Sequence, residues 1–262
     1  MHQQSGLRCR GLDVTVYDPD TVSPFNVGRQ LFYTSDVGLG KAEVLVNRVN
    51  VAYGTQWKAV SEEYQGSRNE DGSHSYGSNC DLVITCVDTA AARREVHRKL
   101  WTGRGDWSPQ CDYWLDCGNL STVGHAILGQ PGRAGEEGWP KSMPFRPEWA
   151  MWRGQWQDRI EGSTQHYKYW FRPNKLSLRL PCVTELYPEM MDEGYAESNE
   201  PSCSMVDALE KQSLFVNRTV SAYALDLLWQ LIREGRVDNQ GVIFNLRTRV
   251  AQPVPLKVWP LT

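Results

Sequence analysis

Asp18, Arg29, Lys41 and Asp88 are four charged side chains whose types and order suit a protein that holds a nucleoside triphosphate and activates its α-phosphorus. Asp18 closes a short Val-rich run, and a carboxylate at the end of a buried strand commonly accepts hydrogen bonds from ribose hydroxyls. Beside Pro19 it equally suits the capping of a turn. Arg29 lies in a polar loop that also carries Asn26, and its guanidinium offers paired donors to phosphate oxygens. A loop Arg is more often a solvated surface charge. Lys41 falls where a helix should begin, an end at which the macrodipole disfavours a cation, so an anion beside it would resolve the conflict. Asp88 ends a second apolar run, where one carboxylate can hold Mg²⁺ if water and phosphate oxygens complete its shell.

The elements that position these groups follow from periodicity. Residues 12–17 read as a strand, and residues 36–50 as a helix entered near Gly40 with Ser35 or Asp36 as cap. Residues 51–60 suit a second strand. Residues 61–79 are too polar and too rich in Gly and Ser to build core. The unbroken run 81–87, DLVITCV, suits a strand buried on both faces of a parallel sheet. A helix over 89–100 follows, with Thr89 as its cap, and residues 113–117 and 125–128 read as two more strands. From 130 to 178 the pattern dissolves into Gly, Pro, Arg and Trp, as in an insertion over the sheet. Residues 213–235 carry the longest amphipathic stripe, with Gly235 as its stop. Residues 241–246 form a last strand before a Pro-rich tail. Alternating strands and helices predict an α/β fold with a mostly parallel sheet and helices on both faces. A single domain, 1–262, is expected, with a nucleotide-binding half (1–130), a Trp-rich insertion (131–180) and a C-terminal half (181–262).

Composition narrows the options. A net charge of −3 gives no electrostatic footprint for nucleic acid. No apolar run approaches the ~20 residues of a membrane-spanning helix, and the first residues lack a secretory signal. Seven cysteines, an odd number with no C-x-x-C pair, suit reduced thiols in a cytoplasm. Trp139, Trp149, Trp152, Trp156 and Trp170 could stack bases, but interleaved acids such as Glu148 and Asp158 favour a protein-docking or dimer-covering flap. His97 and His125 read as ordinary helix and strand residues.

The strings DPDTVSxxNxxRQ, DVGxxKA and DLVITCVD, in this order and spacing, resemble the ThiF/MoeB/ubiquitin-activating superfamily. YWLDCGN (113–119), ELYPE (185–189) and PSCSMVDALEKQSLFVN (201–217) are similar to its bacterial PRTRC-system ThiF family. The resemblance implies a Rossmann-like fold and ATP- and Mg²⁺-dependent adenylation of the C-terminal carboxylate of a small ubiquitin-like or sulfur-carrier protein by a homodimer. By position, Asp18 would bind ribose, Asn26 and Arg29 the phosphates, Lys41 the α-phosphate during attack, and Asp88 the Mg²⁺. A degenerate, non-catalytic binding module and an NAD-dependent oxidoreductase are the alternatives. Arg29, Lys41 and Asp88 speak against the oxidoreductase, because a hydride carrier needs no metal-holding Asp and no α-phosphate Lys.

Three departures qualify the resemblance. Such folds open with a strand, a glycine-rich turn and a helix, and the residues before Leu12 contain no such turn, so an N-terminally truncated or inactive copy is expected. The places where relatives carry zinc-binding C-x-x-C pairs read Cys182-Val183-Thr184-Glu185 and Cys203-Ser204-Met205-Val206, which predicts no zinc. Cys203, just ahead of a helical stretch, is the candidate for a thioester-forming thiol, although a buried structural cysteine is the commoner outcome. Cys86 is expected in the core.

Overall fold

A computed structural model describes residues 12–27, 30–66, 80–101, 111–131, 178–192, 213, 215–234, 237–256 and 259–260. They fall into two compact units, one built from residues up to Tyr64 and the other from Gln65 onward.

In the first unit, β1 (Thr15–Tyr17) pairs in parallel with β2 (Lys58–Val60), Thr15 opposite Lys58. The connection contains a loop with two short 3-10 turns, Pro24–Asn26 and Thr34–Asp36, and then α1 (Lys41–Tyr53). The helix runs three residues past Asn50, so the strand expected over 51–60 shrinks to its last three positions. Gly54 ends α1 in the left-handed conformation (φ 65°), its N–H bonded to the Asn50 carbonyl at 2.9 Å. The Asn50 side chain then fixes the exit. Its oxygen accepts from Thr55 Oγ1 (2.7 Å) and the Trp57 N–H (2.8 Å), and its amide donates to the Trp57 carbonyl (3.0 Å). Val22 and Phe32 pack on Val44 of the helix, which anchors the loop.

The second unit contains β3 (Cys80–Thr85), α2 (Ala90–Trp101), β4 (Cys111–Asn119), β5 (Val123–Gly129), β6 (Leu178–Arg179), α3 (Val183–Leu186), α4 (Val216–Glu234), β7 (Gly241–Asn245), β8 (Val250–Val254) and β9 (Trp259–Pro260). Five strands form one sheet in the order β3-β4-β5-β7-β8, and β6 pairs with β9. The α/β class holds. The expected parallel pairing is confined, among the described strands, to β1 with β2 and β3 with β4; β4, β5, β7 and β8 pair antiparallel. The reason lies in the connections. Three residues join β4 to β5, and a parallel pair needs a crossover of about a dozen or more. Pro253 sits in β8, an edge strand, where its missing N–H costs no ladder bond.

Strand alternation gives the sheet two different faces. Tyr113, Leu115, Cys117, Ala126 and Leu128 meet Val216, Val220, Ala224, Leu227 and Leu231 of α4 in the main core. The opposite face carries Thr85, Asp116 and His125 toward Arg93 of α2. The fully buried strand expected over 81–87 is corrected: among the described strands β3 lies at the end of its sheet, and Ile84 remains 48% exposed.

Candidate functional site

The loop leaving β1 gathers the first unit's polar groups. Asp18 Oδ1 accepts the N–H of Asp20 at 2.9 Å, the turn capping that an Asp before Pro19 allows. The Asp20 carbonyl accepts the N–H of Lys41 (2.9 Å), and Asp20 Oδ2 accepts from Lys41 Nζ (2.7 Å). Thus Asp18 and Lys41, far apart in the string, are joined through one residue. The anion that a Lys at a helix start calls for is Asp20. Nothing in the spacing singled it out, although two acids flanking a Pro gave a choice of two.

Asn26 is buried, and its oxygen accepts both the N–H (2.9 Å) and the hydroxyl (3.1 Å) of Ser23, closing the first 3-10 turn. Its side chain therefore shapes the loop and keeps an amide nitrogen as donor. Asp36, expected as a cap for α1, caps the second 3-10 turn instead by accepting the Tyr33 N–H; Gly40 occupies the N-cap of α1. Arg48 completes the arrangement. It pairs with Asp36, donates to the Leu31 carbonyl and lies 4.4 Å over the Tyr33 ring. The Tyr33 N–H and the Arg48 guanidinium hold the Asp36 carboxyl below the usual carboxylate range. Arg29 lies outside the described residues, as do Cys203 and residues 132–177 of the Trp-rich insertion.

In the second unit, Asp88 is exposed, just beyond β3 and ahead of α2. Thr89 Oγ1 accepts the Ala92 N–H (3.1 Å), the expected cap. The residue before Asp88 is pinned from inside, since Arg93 donates to the Val87 carbonyl at 2.6 Å. The same guanidinium donates through Nε to both oxygens of Asp116 (3.2 and 3.0 Å). Asp116 is fully buried and also accepts from Thr85 Oγ1 (2.6 Å) and bonds His125 Nε2 (2.7 Å). Trp114 Nε1 donates in turn to Thr85 Oγ1 (2.8 Å). Burial alone would push the Asp116 carboxyl up, but the His125 hydrogen bond and the Arg93 charge overcome it and hold the group below the usual carboxylate range. His125, read from sequence as an ordinary strand residue, is thus part of a buried charged network. The available signal was the acid inside YWLDC, since a charge in an apolar strand needs a partner.

The cysteines also depart from expectation. Cys86 is exposed just past the end of β3 rather than in the core. The neighbouring Cys86 thiol and burial hold the Cys117 thiol well above its usual range. Cys182 is buried at the start of α3, where its N–H donates to Glu185 Oε2 (2.8 Å). His97 Nδ1 lies 2.8 Å from Thr184 Oγ1 of α3. No helix among the described residues is long and apolar enough to cross a membrane.

No curated protein matches the sequence. Among solved structures, PaaA is similar over 92% of this chain and 63% of that one, at 10% identity and a TM-score of 0.45. E. coli MccB with MccA-N7isoASN is similar over 93% and 57%, at 11% identity and 0.47. E. coli MccB with AMPCPP and MccA is similar over 92% and 55%, at 10% identity and 0.46. The chain spans less than two thirds of the length of each of these structures. Residues 9–104, which contain β1, the Asp18–Asp20–Lys41 chain, β3 and Asp88, match the model of the ThiF family.

Proposed function

We propose that this chain serves ATP-dependent adenylation of the C-terminal carboxylate of a ubiquitin-like or sulfur-carrier-like small protein, acting as a homodimer. The observation that carries the reading is the Asp18–Asp20–Lys41 chain at the exit of β1, inside the segment matched by the ThiF family model. Asp18 has a second carboxylate oxygen to offer a ribose hydroxyl. The Asn26 amide and the Lys41 ammonium are donors suited to phosphate oxygens, and Arg29 is assigned to the same role. Attack by a carboxylate on the α-phosphorus builds negative charge, which fixed cations stabilise more strongly than water does.

The donor set fits Mg²⁺, because that ion takes one or two protein carboxylates and completes its shell from water and phosphate, and Asp88 is an exposed carboxylate at a strand end. Bound there, Mg²⁺ would neutralise phosphate charge. Arg93, through the Val87 carbonyl, is a positioning residue for Asp88.

A second reading, a ThiF-fold binding module without turnover, is favoured by one feature. Asp20 already neutralises Lys41. Exchange of labelled pyrophosphate into ATP, with a purified small ubiquitin-like protein as acceptor, separates the two. Exchange that disappears in Lys41→Ala and Asp88→Ala supports adenylation. Partner binding without exchange supports the module, and exchange unchanged in both variants overturns the residue roles.

A further inference from the structure

Four cysteines lie on or just past β3 and β4, with the same spacing on both strands. Cys80 and Cys86 are six residues apart, as are Cys111 and Cys117. Six is an even step, so each strand carries its two thiols on one face. The parallel register sets Cys80 opposite Cys111 and Thr85 opposite Asp116. One further step along it brings Cys86 beside Cys117, on the face that packs against α4.

The two residues differ in access. Cys86 is exposed, while Cys117 is buried in the main core; both are present as thiols. Their sulfurs are neighbours, because the Cys86 thiol, ahead of burial, is what lifts the Cys117 thiol above its usual range.

Backbone geometry favours this pair over the one at the other end of the ladder. Adjacent strands lie about 4.8 Å apart, within the ~4.4–6.8 Å between Cα atoms that a disulfide spans, but the Cβ atoms must close to about 3.8 Å. Cys80 and Cys111 are both ladder residues, where inter-strand hydrogen bonds resist such a closure. Cys86 is one residue past the last position of β3, so it can lean toward β4 without loss of a ladder bond.

We infer that Cys86 and Cys117 are a peroxide-sensitive thiol pair, which oxidises to an intramolecular disulfide and latches the turn between β3 and α2 onto β4. Hydrogen peroxide meets the exposed sulfur first. Its O–O bond breaks, Cys86 becomes a sulfenic acid, and one water leaves. The adjacent Cys117 sulfur then attacks the Cys86 sulfur. The S–S bond forms, the S–O bond breaks, and the hydroxyl departs with the Cys117 proton as a second water. Two thiols lose two electrons and the peroxide gains them; a small dithiol reverses the link by exchange.

The latch acts where the turn is already held. Arg93 donates to the Val87 carbonyl at 2.6 Å and, through Nε, to Asp116 of β4 at 3.0 Å. Oxidation would therefore tie two consecutive residues, 86 and 87, to β4. This inference stands on the β3–β4 register and holds whether or not Asp88 meets a nucleotide.

The test treats the full chain with equimolar hydrogen peroxide, alkylates the remaining thiols in urea, and maps fragments by mass after cleavage before aspartate. Cleavage at Asp81 parts Cys80 from Cys86, and cleavage at Asp112 and Asp116 parts Cys111 from Cys117. The wild type should yield fragment 81–87 joined to the fragment that begins at Asp116, and dithiothreitol should separate them. Cys86→Ser should leave Cys117 reduced. Cys117→Ala should leave Cys86 as a sulfenic acid that dimedone traps. Amide exchange over residues 86–89 should slow on oxidation and recover on reduction in the wild type, and in neither variant. The inference is overturned if both thiols remain alkylatable, if Cys86 joins a different cysteine, or if Cys117 oxidises without Cys86. A linked chain whose turn exchanges as fast as the reduced one would overturn the latch.

Discussion

Asp20 holds Lys41 twice, by its carbonyl to the lysine N–H (2.9 Å) and by its carboxylate to the ammonium (2.7 Å). The backbone bond fixes where α1 begins, and on the proposed reading the side-chain bond sets the charge that an incoming phosphate would meet. Asp20 is 65% exposed, so the ion pair contributes little to stability, about 0–1 kcal/mol for such surface pairs. Its effect falls on binding. Asp20→Asn keeps the backbone bond and releases the ammonium, and should tighten MgATP binding by up to about fivefold, the ratio that ~1 kcal/mol represents. Lys41→Ala should weaken it by about tenfold or more, the scale of a lost charge-assisted hydrogen bond. Titration calorimetry checks both. Identical affinities in the two variants would remove Lys41 from the nucleotide site.

Asp88 separates a metal role from a structural one. The residue is exposed, and Asp88→Asn keeps its size and one hydrogen-bonding oxygen while removing its charge, so the fold should be retained. The dependence of ATP binding on Mg²⁺ should vanish in the same variant. Arg93→Lys tests the positioning argument, because it keeps the charge near Asp116 but loses the forked reach to the Val87 carbonyl. It should raise the Mg²⁺ concentration needed for half-maximal ATP binding, and a variant that lost stability alone would leave that value unchanged.

Asp116 predicts how the second unit responds to acid. Its carboxyl titrates lower in the folded chain than in the unfolded one. The stability it contributes is therefore complete above about pH 4, the unfolded carboxylate value, and is lost as pH falls from there toward its folded value. Urea denaturation at pH 6, 4 and 3 should show this loss, and Asp116→Asn should flatten it. Asp116→Asn should also cost about 3–5 kcal/mol at pH 6, because Arg93 stays buried without its counter-charge. Thr85→Val is the milder probe, since it removes one donor to Asp116 and the acceptor of Trp114 Nε1, for about 1–3 kcal/mol. Equal acid sensitivity in the wild type and Asp116→Asn would assign the pH response to other groups.

The sequence made the individual elements legible more readily than their partners. The starts of α1 and α2, the β4–β5 strands and the buried stripe of α4 follow from period, caps and apolar runs, because those signals are local. Asp20, Arg48 and the Arg93–Asp116–His125 network were not legible, because each joins residues separated by tertiary contact. Asp18 shows the limit within a single residue. Its position at a strand end is readable, but the division of its carboxylate between capping Asp20 and serving a ligand depends on loop geometry. β3 misled for a related reason: an apolar run records hydrophobicity, and its rank in the sheet order decides exposure.

Two glycines separate backbone conformation from packing. A Cβ on Gly54 would meet nothing within 4 Å, so Gly54→Ala is opposed only by its left-handed φ of 65°, a cost of about 1–2 kcal/mol. A Cβ on Gly241 would meet the Ala126 carbonyl oxygen and the Ile127 backbone, inside the β5–β7 ladder where Gly241 pairs with Ile127. The backbone of the neighbouring strand cannot yield as a side-chain tip can, so Gly241→Ala should cost about 3 kcal/mol or more, the upper range for overpacking. Amide exchange distinguishes the two. Gly241→Ala should speed exchange across β5 and β7, while Gly54→Ala should affect only the end of α1 and the turn to β2. Undisturbed protection in β7 of the Gly241→Ala variant would show that the register assigned between β5 and β7 is wrong.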